Sequence, residues 1–340
     1  MSVVSATETG PLVEVHNLGK TFRPLPGWAR AFTRSPVAAP VRALDAVSLT
    51  VAPGQVCALA GRNGAGKSTL FRILAGLVSP TDGWARICGH DVTSDGAAVR
   101  RLIGFVPGDA RSLSLHLTPR ENLTIRGRLH SIPAVQLTAR IEEVLALVDL
   151  AEQGDRVGFA LSSGMRARLQ VACAVLHQPP VLILDEPTAS IDPLASYSLL
   201  ETIRRLAREL RLAVLFSTHR ADEIEALAAY VALLDQGRLV HLGHLDGLRT
   251  YEGSPTIELT FDGAAAARAA AATLGALAGV ECVRVQDASI AVTTTLRAGQ
   301  LLASLDGALV SIDAVQRRRL PVRDLLASVL RTGEVTAWEE

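Results

Sequence analysis

The chain has 340 residues, room for one large domain and a small one, and its 34 Lys and Arg balance its 34 Asp and Glu. That balance gives no overall charge to advertise a nucleic-acid partner, and 49% hydrophobic residues with only 4% aromatics suit an aliphatic α/β core. The N-terminus lacks a signal peptide's basic segment and long apolar run, and no stretch of about 18 apolar residues exists to cross a bilayer. Cys57, Cys88, Cys173 and Cys282 are scattered without a C-x-x-C pair and read as buried free thiols of a reducing compartment. The expectation is a soluble, cytoplasmic protein.

Leu12–His16 alternates like a first strand, and Lys20-Thr-Phe22 follows. Residues 23–42 form a Pro-broken basic insertion with Arg23, Arg30, Arg34, Arg42, Trp28 and Phe32 but no acid. Two readings stand: a patch that rests on anionic head groups at a membrane, or a solvated loop whose aromatics tuck onto the sheet. Leu44–Val51 is a second strand region, and Pro53-Gly54 turns it into the short buried strand Val56–Ala60.

Next comes Gly61-Arg-Asn-Gly-Ala-Gly-Lys-Ser-Thr69, which fits the phosphate-binding pattern G-x-x-x-x-G-K-[ST]. It has the required context, because Leu70–Ala75 has helical apolar spacing and stops at Gly76. The glycines let the backbone of Gly61, Asn63, Gly64, Ala65 and Gly66 curl so that successive N–H groups face phosphate oxygens. The helix start adds partial positive charge. Lys67 should bridge the outer phosphates, Ser68 should ligate Mg2+, and Thr69 should donate toward an inner phosphate. The motif binds a nucleoside triphosphate.

Gly83–Cys88 reads as an edge strand. Thr118-Pro-Arg-Glu121 is a capping box with Pro at the first helical position. Ile141, Val144, Leu145 and Val148 then share one helical face. A mostly helical insertion therefore spans roughly 90–170. Leu161-Ser-Ser-Gly-Met165 opens another helix, where small polar residues make an anion site. Val181–Asp185 and Ala213–Ser217 are continuous apolar runs, which implies a parallel sheet covered on both faces.

Asp185 ends the first run and would hold Mg2+ through its water shell. Glu186 follows and could activate a water, although a strand-end Asp-Glu pair taken alone is ambiguous and also fits solvated loop acids. Pro187–Asp192 is a turn ending in an acid, and His219 follows the second apolar run. Val231–Asp235 and Arg238–His241 make a hairpin that closes the domain near residue 247. Beyond it the order is strand 256–261, helix 264–277, strands 280–286 and 289–294, helix 297–305, strand 308–316 and helix 321–331. That order is a split βαβ, ferredoxin-like module. Arg317-Arg-Arg319 reads as a solvated rim.

P-loop, Ser-Ser-Gly helix start, strand-end Asp-Glu and strand-end His, in that order, resemble the nucleotide-binding subunit of a bacterial ABC transporter over about residues 12–245. The resemblance implies an ABC-type P-loop NTPase fold, with a parallel-sheet core, an antiparallel β subdomain and a helical subdomain, followed by a small C-terminal α+β domain. It implies that Phe22 stacks on adenine, and that Ser162, Ser163 and Gly164 cap the γ-phosphate of ATP held by a second nucleotide-binding subunit. It further implies that Asp192 links the two sites of a head-to-tail homo- or heterodimer and that His219 contacts the γ-phosphate. A separate transmembrane permease would dock near 105–150, and the protein would sit peripherally on the inner face of the cell membrane.

Three departures stand out. Ser163 and Met165 replace the usual Gly and Gln of the signature, forms met in export systems. Ala189 replaces a usual Ser. Gly108 stands where the family carries a Mg2+-coordinating glutamine, so Asp109 either supplies that oxygen or merely starts a turn. The expected activity is ATP hydrolysis driving export. A nucleic-acid- or ribosome-directed ATPase is disfavoured by the single P-loop and the neutral charge balance. A nucleotide-gated regulator with little turnover is the reading that Gly108 suggests.

Overall fold

A computed structural model describes residues 10–23, 39–108, 113–189, 191–251, 256–305 and 312–318, together with 322, 324–326 and 329. They fall into two compact units, the first ending at Leu245 and the second running Asp246–Arg331.

The first unit holds two sheets. Strands β1 (Val13–Phe22), β2 (Val41–Val51), β4 (Asp82–Ile87) and β5 (His90–Asp91) form an antiparallel sheet in the order β2-β1-β4-β5. The larger sheet has the order β10-β9-β3-β8-β7-β6. It contains β3 (Val56–Ala60), β6 (Ile103–Val106), β7 (Val181–Asp185), β8 (Ala213–Thr218), β9 (Tyr230–Asp235) and β10 (Arg238–His244). Its neighbours from β9 to β6 run parallel, and only the β9–β10 hairpin is antiparallel. Every residue of β7 and β8 is buried, as continuous apolar runs require of strands covered on both faces.

Helix α1 (Lys67–Leu74) joins the two sheets. One apolar cluster takes in Val15 and Leu44 from the antiparallel sheet, Phe71 and Leu74 from α1, and Ile183 and Leu215 from the parallel sheet. The helix ends at Ala75, and Gly76 turns out of it at φ +65°.

Two expectations need correcting here. The helical insertion is narrower than 90–170, because Ile103–Val106 pairs in parallel with β7 and belongs to the main sheet; only α2 (Gly96–Leu102) precedes it. Four residues are too few to show a period. Gly83–Cys88 is also not an outer strand, since the two-residue β5 covers β4.

The helical part consists of α3 (Pro119–Leu129), α4 (Ala134–Leu147) and α5 (Ser163–Val175). Both halves of the Thr118–Glu121 capping box are formed. Ile141, Val144, Leu145 and Val148 are all buried. The buried Arg140 donates from Nε to Leu176 O at 3.0 Å and from Nη2 to Val175 O at 2.9 Å. A cation there satisfies the last carbonyls of α5 and complements its dipole. Helices α6 (Pro193–Glu209) and α7 (Ala221–Leu227) complete the unit.

The second unit is β11 (Thr256–Phe261), α8 (Ala264–Gly275), β12 (Val280–Gln286), β13 (Ser289–Thr294), α9 (Ala298–Ser304) and β14 (Ile312–Arg318). Its sheet order is β12-β13-β11-β14, with all neighbours antiparallel. This is the split βαβ topology. Strands β11 and β13 alternate buried and half-buried residues, which aims Ile257, Leu259, Ile290 and Val292 at one core with Ala267, Ala270 and Leu274 of α8. Val322, Leu325 and Val329 are helical and buried.

The four cysteines are free. Cys57 and Cys173 are buried and burial pushes each thiol up to about 12. Cys88 is half-buried and Cys282 is exposed, against the expectation that all four are buried. Among the described residues no helix is long and apolar enough to cross a membrane.

Candidate nucleotide-binding site

The phosphate loop closes around α1's N-terminus. Gly66 is the N-cap of α1 at φ +108°, and a Cβ there would meet Ala43 O at 2.4 Å, so both the turn and the close approach demand glycine. No side chain caps α1 and its first turn holds no acid, which leaves its N–H groups for an anion. Lys67 is only 5% exposed. Its Nζ donates to Gly61 O at 2.8 Å and to Arg62 O at 3.3 Å, and stands 3.7 Å from Glu186 Oε1.

Strands β7 and β8 deliver the acids and the imidazole. Asp185 is buried at the end of β7, in register with Ser217 on β8. The Ser217 hydroxyl donates to Asp185 Oδ1 at 2.7 Å and accepts the Glu186 N–H at 2.9 Å. Glu186 itself turns left-handed at φ +47°, which aims its carboxylate back at the loop. His219 Nδ1 lies 3.6 Å from Glu186 Oε1.

A cavity of ≈ 510 Å3 is lined by Asn63, Gly64, Gly66, Lys67, Ser68, Thr69, Asp185 and Glu186. Arg72, Phe105 and Gly108 also line it. A Cβ on Gly108 would sit 3.1 Å from Asp185 O and 3.7 Å from Asp185 Cγ, so position 108 stands directly against the aspartate. The other predicted site residues are elsewhere. Gly61 and Ala65 belong to the loop but not to the cavity lining, and Ala65 O accepts from Gly237 N at 3.0 Å. Phe22, at the end of β1, is 45% exposed and stands outside the lining, with Lys20 Nζ 5.1 Å from its ring centre.

Ser162 caps α5, its hydroxyl accepting the Met165 N–H at 3.2 Å. Ser162 and Ser163 are exposed. Gly164 is buried where a Cβ would come within 2.8 Å of Ala195 Cβ, so α5 and α6 touch there. Asp192 caps α6, accepting the Ala195 N–H at 2.9 Å. None of these lines the cavity.

Asp109 lies outside the described residues. So do residues 24–38, including Arg30, Arg34, Trp28 and Phe32 of the basic insertion, as well as Arg319 and the side chains of Arg317 and Arg318. Arg42 belongs to β2 instead of the insertion and pairs with Asp45 at 2.6 Å.

Sequence reasoning missed Ser217, Arg72 and Phe105. A polar residue closing an apolar strand was the signal for Ser217. Nothing local marked the other two.

Hydroxyl and carboxylate oxygens from Ser68 and Asp185 suit a hard cation. Among the described residues no three His, Cys, Asp or Glu side chains form a metal cluster of their own. Mg2+ takes few protein ligands and completes its shell with water and substrate phosphates.

A P-loop cradle, a buried lysine and two strand-end acids around one cavity define a nucleoside-triphosphate-hydrolysing P-loop protein. The family described as ABC transporter matches residues 44–189. The chain is 38% identical over 233 residues to the daunorubicin resistance ATP-binding protein DrrA3 of Streptomyces coeruleorubidus, covering 68% of this chain and 73% of that one. It is 34% identical to the ABC transporter ATP-binding protein NatA of Bacillus subtilis (strain 168), covering 65% of this chain and 89% of that one. A solved ATP-binding subunit of an ABC transporter superposes with TM-score 0.58 at 28% identity, covering 71% of this chain and 93% of that one. The chain belongs to the ATP-binding proteins of ABC transporters and is an ATPase that works with a separate transmembrane component.

Proposed function

We propose that the chain hydrolyses ATP with Mg2+ in a head-to-tail dimer, with itself or with a second nucleotide-binding subunit, to drive export through its permease. Residues 1–247 are the ATP-binding domain and 248–340 an accessory domain. The observation that carries the dimer is a separation within one chain. Lys67, Asp185 and Glu186 line one cavity, with His219 Nδ1 3.6 Å from Glu186 Oε1, while the helix start at Ser162, Ser163 and Gly164 does not line it; Ser163 borders a neighbouring cavity of ≈ 210 Å3 that Glu186 also touches. Such a helix start is a ready anion site, and a second subunit's ATP is its natural ligand.

In this reading the loop amides and Lys67 hold the β- and γ-phosphates, and Phe22 stacks on adenine. Ser68 and Asp185, with Asp109, hold Mg2+, which when bound neutralises phosphate charge. Glu186 takes a proton from the attacking water, a role worth about 10²–10⁴ in rate. His219 contacts the γ-phosphate, and Asp192 relays between the two sites.

The permease docks at a cavity of ≈ 380 Å3 whose lining includes Leu77, Arg100, Phe105, Arg126, His130 and His177. The protein then lies on the inner face of the cell membrane. The exported substrate would be drug-like, lipid-like or polymer-like, and the daunorubicin-resistance name of the relative supports the first of these.

The test is an affinity pull-down of the Glu186→Gln protein from gently solubilised membranes with Mg2+ and ATP. A polytopic membrane protein recovered only with ATP is the expected result. Recovery of ribosomal or DNA-bound proteins instead would overturn the transporter role.

A further inference from the structure

We infer that Ser217 is a positioning residue that fixes the metal-holding Asp185 and the water-activating Glu186 relative to each other. This rests on the roles proposed above for those two acids.

Ser217 is fully buried, with 0% exposure. Its hydroxyl has one hydrogen and two lone pairs, and its two neighbours leave no choice in how they are used. An ionised carboxylate only accepts and a backbone N–H only donates. The hydrogen therefore goes to Asp185 Oδ1 at 2.7 Å, and a lone pair takes the Glu186 N–H at 2.9 Å. One rotor sets one carboxylate oxygen and one peptide plane.

That peptide plane matters because Glu186 sits at φ +47°, a region that residues with a Cβ adopt sparingly and that needs support from its surroundings. The turn carries Oε1 to 3.7 Å from Lys67 Nζ and 3.6 Å from His219 Nδ1. Releasing the amide would let the glutamate swing away from the phosphate loop. Releasing Oδ1 would let the Asp185 carboxylate rotate within its wall of the cavity. Ser217 bridges from β8 to two consecutive functional residues at the end of β7.

The test compares Ser217→Ala, Ser217→Cys and Ser217→Thr with wild type in the full-length chain. Three quantities are measured: fluorescent-ATP binding without divalent cation, Mn2+ binding by electron paramagnetic resonance with a non-hydrolysable ATP analogue, and kcat and KM. Cysteine keeps the volume with a weak donor and acceptor, so it guards against misfolding of the alanine variant. We expect metal-free nucleotide affinity within about twofold of wild type, and Mn2+ affinity at least about fivefold weaker in Ala and Cys. In these two kcat falls at least about tenfold while KM changes much less, and Thr restores both Mn2+ binding and kcat.

Wild-type Mn2+ affinity and kcat in Ser217→Ala, with turnover lost in Glu186→Gln, would overturn the positioning role alone. Turnover intact in both would overturn the site assignment and the positioning role together. A Thr variant as impaired as Ala, with metal-free nucleotide binding lost in proportion, would reduce Ser217 to a packing residue.

Discussion

Two helix starts in the first unit are finished in opposite ways. Helix α3 satisfies its own: Thr118 accepts the Glu121 N–H at 3.2 Å and Glu121 Oε2 accepts the Thr118 N–H at 2.8 Å. Helix α1 has Gly66 at its N-cap, no capping side chain and no acid in its first turn. A helix that closes its orphan donors gains stability and loses the ability to bind an anion. Leaving them open gives up that gain and keeps the site. The contrast shows where along one chain stability yields to chemistry, and each of the following experiments presses on one side of it.

The largest effect belongs to the open side. Glu186→Gln should lower steady-state ATP turnover by about 10²–10⁴ while leaving ATP binding in place, checked by phosphate release beside equilibrium nucleotide binding. Comparable turnover would remove the glutamate from the chemistry. Lys67→Ala should come next. It removes charge-assisted hydrogen bonds worth about 1.5–3 kcal/mol each, so the ATP dissociation constant should rise on the order of 10- to 100-fold in a binding titration. The lysine's protein partners are the carbonyls of Gly61 and Arg62 and, at 3.7 Å, the Glu186 carboxylate, so the unfolding temperature without nucleotide measures what those contacts contribute apart from ATP.

How much of this was legible beforehand follows from range. The strand–loop–helix around Lys67 is local, so its glycines, its apolar runs and its helix stop at Gly76 could be read directly, as could the Thr118 box. Sheet order could not, because β3 lies between β8 and β9 and nothing in Val56–Ala60 names either neighbour. Ile103–Val106 was absorbed into a helical insertion for a related reason: four residues carry no period, and its membership of the sheet is written in its pairing with β7. Ser217 was hidden differently. A serine ending a strand is ordinary until β7 and β8 bring its hydroxyl to Asp185. Phe22 could be read only through resemblance.

A pH-dependent contrast is smaller. His177 joins the C-terminal side of α5 to β6, its Nε2 3.0 Å from Ile103 O and its ring stacked at 3.8 Å on His130. Burial first, then the His130 and Arg140 charges, push its pKa down to about 4, while the Ile103 carbonyl opposes them. The unfolded chain therefore takes up this proton below about 6.5 and the folded chain resists it down to about 4, so stability is lost as pH falls through that window. His177→Gln should flatten the pH dependence of the unfolding free energy across this window, by at most about 3 kcal/mol. An unchanged slope would mean the ring is solvated when folded.

The smallest effect tests the closed side of the comparison. Thr118→Ala removes one acceptor and leaves the Glu121 N–H at α3's start without its cap, a loss of about 1 kcal/mol. Denaturant unfolding should move by that amount. ATP affinity should not move, because Thr118 and Glu121 do not line the phosphate cavity. The paired change in α1, Ser68→Asp, puts a carboxylate into a first turn that now has none. On helix energetics alone an acid there stabilises by about 0.3–1 kcal/mol, yet it also sets a negative charge where phosphate must approach. Greater thermal stability together with weaker ATP binding in Ser68→Asp, against lower stability with unchanged binding in Thr118→Ala, is the crossed outcome that opposite uses of two helix starts require. If both substitutions moved stability and binding in the same direction, the two ends would differ only in sequence.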